Sequence, residues 1–304
     1  MMSGSGRGTH EALMQAGPPP AHGPDGGAAG ATARRTLPIR VEIARQLTRR
    51  RTQIALGFLV LLPILLALAF RLGGNDDNGA GAPALVDLAT SGATNFTLFT
   101  LFVATGFLLV VVVALFAGDT VASEASWSSL RYLLAAPVPR SRLLQQKLAA
   151  ALLYSAFALV LLPTVAYGVG GLFFGWDPAQ SPLGTTFTTS ESIARLAIVT
   201  GYLMVTLLFV AALGFTLGVY TDAPLGAVGG AVMLVIVSNI LDAVTALGGL
   251  RNALPTHYSY AWTDVLSPEI SYAQMGRGAL WSLGYTLVLL TLAWRHFLRK
   301  DVVS

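Results

Sequence analysis

The chain has 304 residues, of which 11% are charged and 54% apolar, with a mean hydropathy of +0.65. A soluble domain carries roughly a quarter charged residues, so this composition excludes an ordinary water-soluble enzyme and points to an all-α polytopic membrane protein. The absence of cysteine excludes disulfides, thiolate metal sites, Cys nucleophiles and lipidated cysteines, and a formal charge of +4 is too small to suggest nucleic-acid binding.

Residues 1–36, with Gly17-Pro-Pro-Pro20 and Gly26-Gly-Ala-Ala-Gly30, cannot bury enough apolar area to offset the entropy of ordering and read as a disordered tail. Residues 37–53 place apolar side chains at 39, 43 and 47 among Arg40, Arg45 and Arg49–Arg51. That pattern suits an amphipathic helix in the headgroup region that turns into the first span; a solvated basic stretch is the plainer alternative.

Six apolar runs follow, at about 54–70, 96–118, 148–174, 196–219, 223–248 and 278–294. Most come close to or exceed the ~20 residues that cross a hydrocarbon core, and they are continuous rather than alternating as barrel strands would be. The first is 17 residues long, contains Pro63 and ends at Phe70-Arg71 without a small-x-small site, so it reads as a retained anchor rather than a cleaved signal. Tyr220-Thr-Asp-Ala-Pro224 forces spans four and five into an antiparallel hairpin, and the Gly-rich fifth span is the one that could be partly re-entrant. With both termini inside, the cytoplasmic side holds fifteen Lys and Arg, and the outer side only Arg71, Arg195, Arg251 and Arg277. This asymmetry sets the expected orientation in the cell membrane.

Between spans two and three, residues 120–136 read as a short helix that Thr120 or Ser123 can cap, with Trp127, Leu130 and Leu134 along one side. Pro137 ends it, Pro139 stiffens the turn, and Arg140, Arg142 and Lys147 lie where the third span leaves the headgroups. On these residues alone, an amphipathic surface helix with a basic flank is an equally good reading.

The order Glu124, Ser128-Ser129-Leu130-Arg131, Leu133-Leu134, Pro137, Arg140, Lys147 resembles the first cytoplasmic loop of ABC-2 type transporter permeases. That family commonly has Gly-Thr where this chain has Ser128-Ser129. Residues 37–304 as a whole are similar to the family's interfacial helix and six-span domain. The resemblance implies that 120–136 is a coupling helix seated in a groove of a separate cytoplasmic ATPase. Glu124, Trp127, Leu130, Arg131, Leu134, Pro137 and Arg140 would then be its coupling residues. It further implies two ATPase copies holding ATP and Mg, a second permease copy or a similar chain, surrounding membrane lipid, and export as the direction.

The rest of the sequence agrees with a need for a partner. Its two lysines, Lys147 and Lys300, do not follow a glycine as a P-loop lysine must, and the four histidines form no His-Glu-x-x-His pair. No Gly-x-Ser-x-Gly elbow is present. No cofactor, metal site or catalytic residue is therefore expected in this chain.

Arg195 begins span four, and Asn239 and Asp242 lie near the outer end of span five. They read either as interfacial charges in contact with water or as a gate at the outer mouth of a pathway. Gly226 and Gly230 have the spacing that lets helices approach closely, within the chain or across a dimer seam. Residues 249–277, with His257, Tyr258, Tyr260 and Trp262, read as outer re-entrant or amphipathic helices whose aromatics face either the interface or cargo. Two other functions remain open: a mechanical transmitter or sensor coupled to the same ATPase, and a secondary carrier.

Overall fold

A computed structural model describes residues 39–73, 83–126, 140–181, 184–221 and 223–299. The chain is all-helical over these residues: α1 (Ile39–Leu47), α2 (Arg50–Leu72), α3 (Pro83–Thr90), α4 (Ala93–Thr105), α5 (Leu108–Ser126), α6 (Arg140–Phe174), α7 (Thr189–Thr206), α8 (Leu208–Tyr220), α9 (Pro224–Ala243) and α10 (Ala273–Arg299). Two 3-10 segments, Thr245–Ala253 and Ala261–Leu266, join α9 to α10. Among the described residues, four stretches are long and apolar enough to cross a membrane: α2, α6, α7–α8 and α9, with α4–α5 a fifth if that bent pair is one span. The protein is thus a membrane-embedded helical bundle.

The second expected span is not one straight helix. It breaks at Gly106-Phe107 into α4 and α5, bent by 59°. A Cβ on Gly106 would come within 2.7 Å of the Tyr260 hydroxyl, so a larger residue at the bend would have to displace that tyrosine. α5 then continues unbroken to Ser126. Thr120 and Ser123 therefore lie inside a helix rather than capping a new one, and the Thr120 hydroxyl donates to the Ala117 carbonyl at 2.7 Å.

α7 and α8 form a single apolar span interrupted at Leu207. The Ser282 hydroxyl lies 2.8 Å from the Val205 carbonyl and 3.0 Å from that of Thr206, supplying a donor at the interruption. α10 packs beside this span and runs parallel to it. Gly278 faces Tyr202, Ser282 meets Val205 and Thr206, the Thr216 hydroxyl is 3.0 Å from the Leu289 carbonyl, and Tyr220 stacks on His296. α10 is less apolar than the other long helices because Trp281, Ser282, Gly284, Tyr285 and Thr286 dilute it.

The closest helix packing is between α5 and α8. A Cβ on Gly218 would lie 2.6 Å from the Gly118 carbonyl, and one on Gly214 would lie 3.1 Å from that of Ala114. Small residues four apart on both helices let the backbones meet. α9 closes over α5 through Ala227, Val228, Ala231 and Val235. It ends at Ala243, five residues before the expected end of span five, where Val244 turns extended. The expected helices at 249–277 take the form of two short 3-10 segments and turns up to residue 272, where α10 follows, because Gly248 adopts φ +51° and Pro255 and Pro268 interrupt any longer helix. Their aromatics do not all face outward, for Tyr258 and Trp262 are buried in the bundle.

Candidate functional site

α1 lies at the end of the bundle where α2 begins, α5 ends and α6 begins. On α1, Leu47 is exposed, Ile43 is partly buried against the bundle, and the polar Gln46 is buried. The amide of Gln46 donates to the Phe116 carbonyl on α5 at 3.3 Å, and the Tyr154 hydroxyl on α6 donates to the Ile43 carbonyl at 2.6 Å. Glu42, on the same face, pairs with Lys147 at 3.2 Å and with Arg45 at 3.7 Å. The Lys147 side chain is only 2% exposed. A cation so deeply buried requires a carboxylate partner, and α1 supplies one.

The second tie is at Asp119, seven residues before the end of α5. Arg49, in the corner between α1 and α2, donates to Asp119 Oδ2 at 2.8 Å and to the Ser123 hydroxyl at 2.7 Å. Arg51 donates to Asp119 Oδ1 at 2.8 Å. Each carboxylate oxygen therefore accepts from a different guanidinium, which is how a carboxylate 8% exposed stays compatible with its surroundings. Two carboxylates thus hold α1 and the start of α2 against both helices that flank the 127–139 connection. The cluster is a charged joint that ties α1 and the start of α2 to the end of α5 and the start of α6.

Of the expected coupling residues, Trp127, Leu130, Arg131, Leu134 and Pro137 lie outside the described residues. Glu124 falls in the last turn of α5 and Arg140 opens α6, so the connection starts and ends on the two helices tied at the joint. Asp119, Glu42 and Gln46 belong to no motif. Their sequence signal is an acid at the end of one apolar run whose partner run begins in arginines.

At the opposite end of the bundle, the three residues considered for an outer gate fall into separate groups. Arg195 is buried. Its guanidinium contacts Glu191 Oε1 at 2.8 Å, donates to the carbonyls of Val265, Ser267 (2.7 Å) and Pro268 (3.3 Å), and lies 3.9 Å over the Phe187 ring. It clamps the second 3-10 segment onto α7. Asp242 instead contacts His257 Nδ1 at 2.5 Å and Arg251 at 3.6 Å. Asn239 lines a cavity of about 230 Å³ with Thr105, Gly106, Thr256 and Tyr260, beside the bend in α4–α5. The two glycines considered for close helix approach, Gly226 and Gly230, differ in packing within the chain: a Cβ on Gly226 would meet nothing closer than Ala223 at 3.7 Å, whereas one on Gly230 would press on the Leu217 side chain at 3.2 Å. Among the described residues, no three His, Asp or Glu side chains converge to hold a metal ion.

No curated protein matches the chain. A family described as "Protein of unknown function (DUF2705)" matches residues 85–303, a stretch that runs from within α3 to the end of α10 and takes in the whole connection between α5 and α6. The chain belongs to that family.

Proposed function

We propose that this chain is the membrane permease subunit of an ATP-driven exporter of the ABC-2 type, with hydrolysis carried out by a separate cytoplasmic ATPase. In this reading it has six spans and both termini in the cytoplasm. The parallel course of α10 beside α7–α8 supports the sixth span: a helix that keeps pace with a spanning helix from Tyr202 to Tyr220 traverses the same thickness. The charged joint is then at the cytoplasmic face, where a concentration of arginines belongs.

The observation that carries the reading is the double ion-paired joint at the root of the 127–139 connection. A loop that only linked two spans would need no such anchorage. A loop that receives force needs its helices fixed to neighbours, so that a displacement moves α1, α2, α5 and α6 as one body. Two ATPase copies, binding ATP and Mg, press on the connections of two permease copies, and that motion opens a path through the membrane. The test is co-expression with an ATPase encoded in the neighbouring reading frame, followed by co-purification and ATPase measurement in nanodiscs. Arg131→Glu is expected to abolish complex formation or permease-dependent stimulation of ATP turnover. An intact complex with normal stimulated turnover overturns the proposal.

A further inference from the structure

A second cavity, of about 370 Å³, lies at the end of the bundle away from α1. Four separate segments build it: Leu88 and Ala89 of α3, Asn95 to Phe102 of α4, Gln180 and Ser181 of the α6–α7 connection, and Trp262 to Ser267 of the second 3-10 segment. Its frame is rigid. Asn95 exchanges hydrogen bonds with the Gln180 backbone at 3.1 and 3.2 Å, and Arg195 fixes the 265–268 carbonyls from behind. The lining is graded. Polar groups of Gln180 and Ser267 stand at the rim, with Ser181 buried beside Gln180, and Leu98, Phe99 and the exposed Phe102 follow along α4, about 10 Å over the seven residues from Asn95.

Two details specify the occupant. Trp262 is the largest fully buried side chain among the described residues, lines the cavity, and leaves its indole N–H without an acceptor. Buried indole donors ordinarily find one. Among the described residues the lining contains no charged side chain, and the nearby Arg195 is already committed to Glu191 and three carbonyls. An anionic headgroup would therefore find no free cation. We propose that this cavity binds a neutral, single-chain amphiphile, with its chain along Leu98–Phe102 and its uncharged polar head at the Gln180–Ser267 rim. An oxygen of that molecule accepts from Trp262 Nε1. The volume, at the small end of ligand pockets, suits one chain rather than a two-chain phospholipid.

The test uses the full chain in phosphatidylcholine nanodiscs, without nucleotide or ATPase, so its outcome is separate from that of the exporter reading. The probe is a monoacylglycerol carrying a diazirine in its chain, mapped by peptide mass spectrometry. Labelling is expected to concentrate on residues 93–105 and 261–267, to saturate, and to be displaced by unlabelled monoacylglycerol but not by a fatty acid anion. Ser267→Phe, at an exposed rim position, is expected to block labelling while leaving thermal unfolding unchanged. Trp262→Phe is expected to weaken half-saturation about tenfold, as loss of one buried hydrogen bond implies. Labelling spread evenly over the exposed faces of α9 and α10 and undiminished by Ser267→Phe overturns the proposal. Equal displacement by the fatty acid anion also overturns it.

Discussion

A buried charge and a buried glycine contact are the residue-scale features that a single substitution can test. Asp119→Ala would leave Arg49 and Arg51 facing an apolar gap. Because the Arg51 side chain is 61% exposed, water takes over part of its solvation, and the expected loss is about 2 kcal/mol rather than the full penalty of a broken buried pair. Thermal unfolding in nanodiscs checks this, and Asp119→Glu is expected to recover part of the loss. Under the exporter reading, Asp119→Ala also uncouples ATP turnover from the permease. At the other end, Arg195 and Asp242 separate by the same logic. Arg195→Lys retains the charge but cannot span Glu191, three carbonyls and the Phe187 face at once. Hydrogen exchange over residues 261–268 is therefore expected to accelerate in Arg195→Lys and to stay at the wild-type rate in Asp242→Asn. Equal acceleration in both would mean that the two residues act as one unit after all.

The small-residue seam between α5 and α8 belongs to the scale of elements. Gly218→Ala places a methyl 2.6 Å from a backbone carbonyl, and neither helix can yield without giving up its other contacts. The expected cost is about 1–3 kcal/mol. Gly226→Ala meets nothing closer than 3.7 Å and is expected to leave thermal stability unchanged. Gly226→Leu probes the other possibility for that face of α9, an interface with a second copy: a shift to a smaller assembly in light scattering with unaltered unfolding would place the seam there. The broken elements share one physical pattern. At Gly106 and at Leu207 a helix is interrupted beside a hydroxyl from the C-terminal third of the chain, Tyr260 in one case and Ser282 in the other. Neither break is marked by proline, so an apolar run in the sequence gives no sign of it.

For the whole molecule, the prediction concerns which face is inside. The chain has no cysteine, so single cysteines can be introduced without background. Ser3→Cys and Val302→Cys are expected to resist a membrane-impermeant maleimide in intact cells, and Leu250→Cys, which is 71% exposed, is expected to react. Labelling of either terminal position from outside would reverse the orientation and remove the basis for docking an ATPase on the connection between α5 and α6.

Composition and hydropathy determined by themselves that this is a helical membrane protein, because the bilayer demands long apolar stretches and tolerates few charges. The positions of α2, α6, α7–α8 and α9 were legible for the same reason, although α6 and α7 begin seven to eight residues before the expected spans and α9 ends five residues early. The charged joint was not legible. Asp119 meets Arg49 and Arg51 across some 70 positions of sequence, and Lys147 meets Glu42 across 105. Partners so far apart are selected by how helices cross, which no local pattern encodes. The same holds for Arg195, which the sequence left open between an interfacial charge and part of a gate, and which the fold buries among backbone carbonyls. Sequence fixes which solvent each segment prefers; tertiary structure alone decides which buried polar groups find each other, since that depends on distances between segments that the chain brings together only on folding.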